Sequence, residues 1–118
     1  RKLEIREWTI MNLNEYQEAA LTTAIFPPEY GLIYPALKLA GEAGEVAEKV
    51  GKVLRDEGGE FSDEKKKELA LEVSDVLWYV AAMAGSLGYT LDEVGEMNLS
   101  KLASRKERGK IGGSGDNR

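Results

Sequence analysis

Two adjacent glycines, Gly58 and Gly59, constrain this chain more than any other feature. A residue without a Cβ adopts the left-handed backbone that closes a helix, so a glycine pair ends one helix and frees the next. On both sides runs a long pattern of apolar residues spaced three and four apart. Upstream, Leu37, Ala40, Gly44, Ala47, Val50 and Leu54 keep the helical spacing, and downstream Leu69, Val73, Val76, Leu77, Val80 and Met83 do. Helices are predicted from about residue 32 or 36 to 56, and from a Ser62 or Asp63 cap to about 86. Joined by so short a break, they must run antiparallel.

Shorter helices flank this hairpin. Asn12 followed by Glu15 reads as a capping box, with a helix from about 13 that ends by Phe26, because Pro27 and Pro28 remove amide donors. Thr90 followed by Glu93 is a second capping box, and a last helix is predicted from 91 to about 105. The stretch from Val76 to Ala84 is apolar nearly all round, which predicts that its helix is the central, most buried one. Gly41, Gly44 and Gly51 fit close helix packing or close ligand approach. The fold expected is all-α: a four-helix, bundle-like domain of antiparallel helices over 12–107, with an arm at 1–11. A glycine-rich, basic C-terminal tail at 108–118 is expected to be flexible, ordered only by a partner or ligand.

Composition narrows the chemistry. The 118 residues include no Cys and no His, which excludes thiolate metal sites, disulfides, imidazole bases and Ser-His-Asp triads. Carboxylates, amines, hydroxyls or a hard metal must then do any work. No run reaches 18 apolar residues, so no membrane span is expected. The charged start is unlike a secretory signal, and a cytoplasmic location is the default. The net charge of -5 is unevenly placed. Residues 1–100 carry 10 basic and 19 acidic side chains (net -9), and residues 101–118 carry 6 basic and 2 acidic (net +4). The acidic body would repel a nucleic acid polymer. A chain this short gains stability from a second subunit, so a homo-oligomer is expected.

The acids are patterned. Glu42 and Glu45 share one helix face, and Glu72 and Asp75 share another. Folding the helices about the glycine pair sets Glu45 opposite Glu72 and Glu42 opposite Asp75. Four carboxylates on one patch repel unless they protonate or hold a cation. Oxygen ligands without His or Cys favour a hard ion, Mg²⁺ or Mn²⁺, and Mg²⁺ commonly completes its shell with water and phosphate oxygens. Asp75 sits among Val73, Val76, Leu77 and Trp78, where a carboxylate needs a partner or an ion. Glu48, Glu68 and the run Lys65 to Lys67 read as a solvated face.

Tyr79, four residues after Asp75, either presents its hydroxyl to a carboxylate or phosphate or is a buried Tyr tied to a neighbour. Trp78 is either a core or dimer contact or a base-stacking platform. Asn98, Lys101 and Arg105 present an amide, an ammonium and a guanidinium to one side of the last helix, a set that suits polyphosphate oxygens if the acids are near and is ordinary surface if they are not.

Three segments carry a family resemblance: GEAGEVAEKVGK at 41–52, ELALEVSDVLWYVAAMA at 68–84 and NLSKLASR at 98–105. Over roughly residues 13–105 the chain resembles the MazG-like nucleotide pyrophosphohydrolases of the all-α NTP pyrophosphatase superfamily. The paired motifs Glu-x-x-Glu and Glu-x-x-Asp fall on Glu42, Glu45, Glu72 and Asp75. The resemblance implies a Mg²⁺-dependent hydrolase of phosphoric anhydride bonds. Such an enzyme cleaves a nucleoside triphosphate between the α and β phosphates, giving monophosphate and pyrophosphate. It implies that the four acids hold the metal, that Glu45 or Glu42 orients or deprotonates the water, and that Lys101, Arg105 and Asn98 hold the polyphosphate. Gln17 and Trp78 become candidates for the base and sugar pocket. It also implies a dimer or tetramer whose sites a neighbouring chain completes, in housecleaning of aberrant nucleotides or in pool regulation. Alternatives are a related activity on dUTP or phosphoribosyl-ATP, and a non-catalytic helical binding or regulatory module. The 108–118 tail has no counterpart in the acidic motif. Its glycines, with Lys110 or Arg118, would let it fold over bound phosphates.

Overall fold

A computed structural model describes residues 11–118; the arm expected at 1–11 falls, but for Met11, outside the described residues. The described residues form four α-helices: α1 (Leu13–Leu21), α2 (Ile33–Asp56), α3 (Asp63–Ser86) and α4 (Leu91–Glu107), with a 3₁₀ turn at Pro28–Tyr30. The architecture is the all-α, bundle-like one that the periodicity predicts.

The helix ends follow from local chemistry. The Asn12 side chain accepts the Glu15 amide at 2.8 Å and starts α1. Ser62 caps α3 by accepting the Lys65 amide at 3.1 Å. At α4 the reciprocal box is complete: Thr90 Oγ1 accepts the Glu93 amide at 3.1 Å and Glu93 accepts the Thr90 amide at 3.0 Å. Pro35 is the third residue of α2 and fully buried, where a helix needs no amide donor from it. It lies inside the helix, although it reads as punctuation before one. Gly58 (φ 62°) and Gly59 (φ 79°) take the left-handed backbone that turns α2 into α3. α1 ends at Leu21, short of Phe26, and Thr22 and Thr23 turn their hydroxyls back onto the carbonyls of Ala19 and Ala20 at 2.6 and 2.7 Å.

α2 and α3 form the long antiparallel hairpin. Ion pairs mark its register: Lys65 meets Glu57 near the turn at 4.0 Å, and Lys49 meets Glu72 further along at 3.7 Å. α1 and α4 pack on each other and on the second half of α3, where Ala81, Ala84 and Leu91 form the core with Tyr16, Val80 and Val94 against them. That distribution corrects one expectation. α3 is central, but among Val76 to Ala84 only Ala81, Ala82 and Ala84 are fully buried, and Leu71 and Val73 in its first half are exposed. Among the described residues, none covers the outer side of the hairpin. Likewise, a Cβ added at Gly41, Gly44 or Gly51 would meet no atom within 4 Å, so these glycines serve no close packing within the protomer. Among the described residues α3 is also the one helix long and apolar enough, by length and composition, to cross a membrane. It carries Glu72 and Asp75 in its middle turns and packs against all three other helices.

Candidate functional site

The hairpin brings three of the four predicted acids together. Single carboxylate oxygens of Glu42, Glu72 and Asp75 lie within 4.8 Å of one another, Glu42 and Glu72 half-buried and Asp75 exposed. Glu45 is exposed on α2, one turn from Glu42, and outside this group. The reason is a matter of reach. Glu72, expected opposite Glu45, takes its ion pair from Lys49, one turn further along α2. Asp75 needs no burial to be where it is, because the side of α3 that carries it is uncovered. Lys49 offsets part of the negative charge, and among the described residues no lysine or arginine pairs with Glu42 or Asp75. Three oxygens from two rigid helices, with one lysine beside them, form a donor set that a divalent cation fits, since a cation relieves the repulsion that the spacing creates.

Beside the acids opens a cleft of about 570 Å³. Glu42 and Asp75 form one wall, and Phe26, Tyr34, Trp78 and Tyr79 supply aromatic rings. Phe26 stacks on Tyr34 with centroids 5.1 Å apart, and Trp78 meets Tyr79 edge-on at 4.9 Å. Trp78 is fixed by its indole N–H, which donates to Ala20 O at 3.2 Å and Thr23 Oγ1 at 3.1 Å. Tyr79 is thus placed on the face it shares with Asp75. Its phenol is pushed above the usual tyrosine range, first by burial, then by Tyr34, Glu42 and Asp75, so it stays a protonated donor at neutral pH. Burial first, and Asp75 second, push Tyr16 the same way. Ile25, 97% exposed, stands at the cleft with no cover.

Other predicted residues lie elsewhere. Gln17 is buried, with both ends of its amide committed. Nε2 donates to Ala81 O at 3.1 Å and Tyr89 O at 3.2 Å, and Oε1 accepts the Leu91 amide at 3.0 Å. It ties α1 to α3 and to the start of α4, and it does not line the aromatic cleft. Asn98, Lys101 and Arg105 do not line the aromatic cleft. Asn98 is exposed, while Lys101 and Arg105 meet Asp116 at 3.2 and 3.3 Å. The 108–118 segment, expected to be loose, is folded back on α4 by these contacts and by the Lys110 amide, which donates to Arg105 O at 2.7 Å, while Arg118 closes it on itself by donating to the carbonyls of Lys110, Ile111, Gly112 and Gly115.

Sequence reasoning missed Phe26 and Tyr34. A signal was present: Phe26, Tyr30 and Tyr34 recur every fourth residue across the proline-rich joint. The prolines mask that spacing by ending one helix and delaying the next.

Comparison with known proteins bears on this arrangement. A model of the MazG nucleotide pyrophosphohydrolase domain matches residues 35–109, a stretch that holds both acidic pairs and all of α3. The Gene 37 protein of Mycobacterium phage L5 is 48% identical over 114 residues, covering 92% of this chain and 100% of that protein. No solved structure gives a significant match.

Proposed function

The chain belongs to the MazG nucleotide pyrophosphohydrolase family, and from that premise we propose that it is a Mg²⁺-dependent pyrophosphohydrolase of nucleoside or deoxynucleoside triphosphates. One observation carries the reading: of the three carboxylates able to hold a divalent cation, Glu42 and Asp75 also line a cleft into which four aromatic rings project. A nucleotide needs both surfaces, cations for its phosphates and flat apolar faces for its base.

In this reading Glu42, Glu72 and Asp75 hold Mg²⁺, with Mn²⁺ as a substitute. When bound, the metal supplies Lewis-acid polarisation of the phosphoryl group and charge neutralisation along the triphosphate. Glu45, exposed one turn from Glu42, has room to hold a water and take its proton, and Glu42 is the alternative base. Water adds across the α–β anhydride. One P–O bond forms, the bridging P–O bond breaks, and pyrophosphate leaves as the monophosphate is released. Tyr79 donates its hydroxyl to a carboxylate or a phosphate oxygen, and Trp78 with Phe26 offers the base a stacking surface. Asn98, Lys101 and Arg105 hold the far phosphates, and because they lie off the cleft of their own protomer, they do so for a neighbouring copy in a homo-oligomer.

The test is a panel of ribo- and deoxynucleoside triphosphates, with dUTP and phosphoribosyl-ATP included, incubated with the chain and Mg²⁺ or Mn²⁺. The expected result is equimolar monophosphate and pyrophosphate from at least one of them. Absence of turnover across the panel would make the chain a binding or regulatory module, and release of orthophosphate would place the cut elsewhere.

A further inference from the structure

We propose that Asp116 is an internal competitor for polyphosphate: a carboxylate that occupies the cationic hollow on α4 in the resting chain and must leave before a phosphate chain can enter. The hollow, about 340 Å³, is lined by Lys101, Arg105 and Arg108 at the end of α4 and by Asp116, Asn117 and Arg118 of the tail. The Arg105 side chain is only 9% exposed, and a guanidinium that deep requires an anion or carbonyl oxygens. It receives both from one residue, with Nη2 at 3.0 Å from Asp116 O and 3.3 Å from Asp116 Oδ1. Lys101 Nζ reaches the same Oδ1 at 3.2 Å.

The contact is asymmetric. Its cations are anchored on a helix, one of them buried, while the Asp116 side chain is 79% exposed on a segment with left-handed glycines at 109, 113 and 115. A single carboxylate oxygen serves two cations that could bind a phosphate group through several oxygens. The segment is also closed on itself by the Arg118 hydrogen bonds to carbonyls within 110–115. It can therefore swing away with those bonds intact, giving up the Asp116 contacts, the 2.6 Å bond from Arg108 Nη2 to Arg118 O and the 2.7 Å bond from the Lys110 amide to Arg105 O. The ligand class that fits is a chain of two or more phosphates. The pyrophosphohydrolase reading supplies the two sources, a substrate's triphosphate and the product pyrophosphate, and the inference rests on that reading for which one is met in turnover.

Binding measured without catalysis separates the two ideas. Pyrophosphate and, separately, an α,β-methylene deoxynucleoside triphosphate are titrated calorimetrically into the full chain in EDTA, which leaves the Glu42–Glu72–Asp75 group without metal. Asp116→Asn is expected to bind pyrophosphate about tenfold more tightly than the unaltered chain. Glu60→Gln, an equal change of charge on the α2–α3 turn, should leave affinity unchanged, and Lys101→Met added to Asp116→Asn should remove the gain. A gain with the nucleotide analogue alone identifies the substrate as the displacing ligand, and a gain with pyrophosphate identifies the product as sufficient. Asp75→Asn, expected to abolish turnover, should bind pyrophosphate as the unaltered chain does. The proposal is overturned if Asp116→Asn binds neither ligand more tightly, or if Glu60→Gln gains as much. A second measurement needs no variant: pyrophosphate added to the unaltered chain should shift the amide resonances of Gly113 and Gly115, and unmoved resonances would contradict displacement.

Discussion

Gln17 shows how one polar side chain can decide an architecture. Its amide makes three hydrogen bonds to backbone groups of α3, of the joint at Tyr89 and of the first residue of α4. Gln17→Leu would leave the buried Leu91 amide and the part-buried Tyr89 carbonyl without this partner and remove a second bond from Ala81 O, at a cost of about 1–3 kcal/mol. Chemical denaturation should read that loss, while KM for the preferred nucleotide stays unchanged; a raised KM with unaltered stability would return Gln17 to the substrate pocket. Asp116 is the opposite kind of residue, exposed and held only by charge. Its carboxyl lies below the ordinary 3.8, first through the hydrogen bond from Lys101, then through the Lys101 charge and the hydrogen bond from Arg105. A depressed carboxylate contributes its anchoring above the ordinary value and loses it as pH falls through the depressed one. The 108–118 segment should thus stay docked at neutral pH and release only below the usual carboxylate range. A carboxyl ¹³C titration checks this, and Lys101→Met should move the Asp116 midpoint up towards 3.8.

At the scale of elements, the α2–α3 hairpin positions the acids, and its turn is the place to test it. Gly58 and Gly59 both hold positive φ, so Ala at either site should cost about 1 kcal/mol or more through backbone strain alone. Thermal unfolding would measure it, and no loss would mean that the turn adapts. Much of this level was legible in the sequence. Capping pairs at Asn12/Glu15 and Thr90/Glu93 fix where α1 and α4 begin, because cap chemistry is local. The facing of Glu42 and Asp75 followed from the glycine turn and helical repeat. What was not legible depends on side-chain reach or on contacts far apart in the chain. Lys49, rather than Glu45, meets Glu72 because a long ammonium spans a turn. Phe26 and Tyr34 join the cleft through a joint whose prolines mask their four-residue recurrence. Asp116 finds Arg105 across eleven residues, which composition alone reads as a loose tail.

The described residues form an open structure. Its radius of gyration is 17.1 Å, whereas a compact domain of this length has about 13–14 Å. Ile33 and Leu37 on α2, Leu71 and Val73 on α3 and Leu99 on α4 are all more than half exposed. These exposed apolar residues fit the proposed homo-oligomer, in which Lys101 and Arg105 serve a second copy. Sedimentation is expected to give a dimer or larger assembly, and Leu37→Glu to shift it towards monomer with loss of activity; a fully active monomer would require another source for the phosphate-holding cations. The proposed reaction depends on the carboxylates. Its most direct test is pyrophosphate release from the preferred triphosphate in Mg²⁺, with the unaltered chain beside Asp75→Asn. The prediction is a rate lower by on the order of 10²-fold or more in the variant at unchanged helicity. Undiminished release by Asp75→Asn would contradict it.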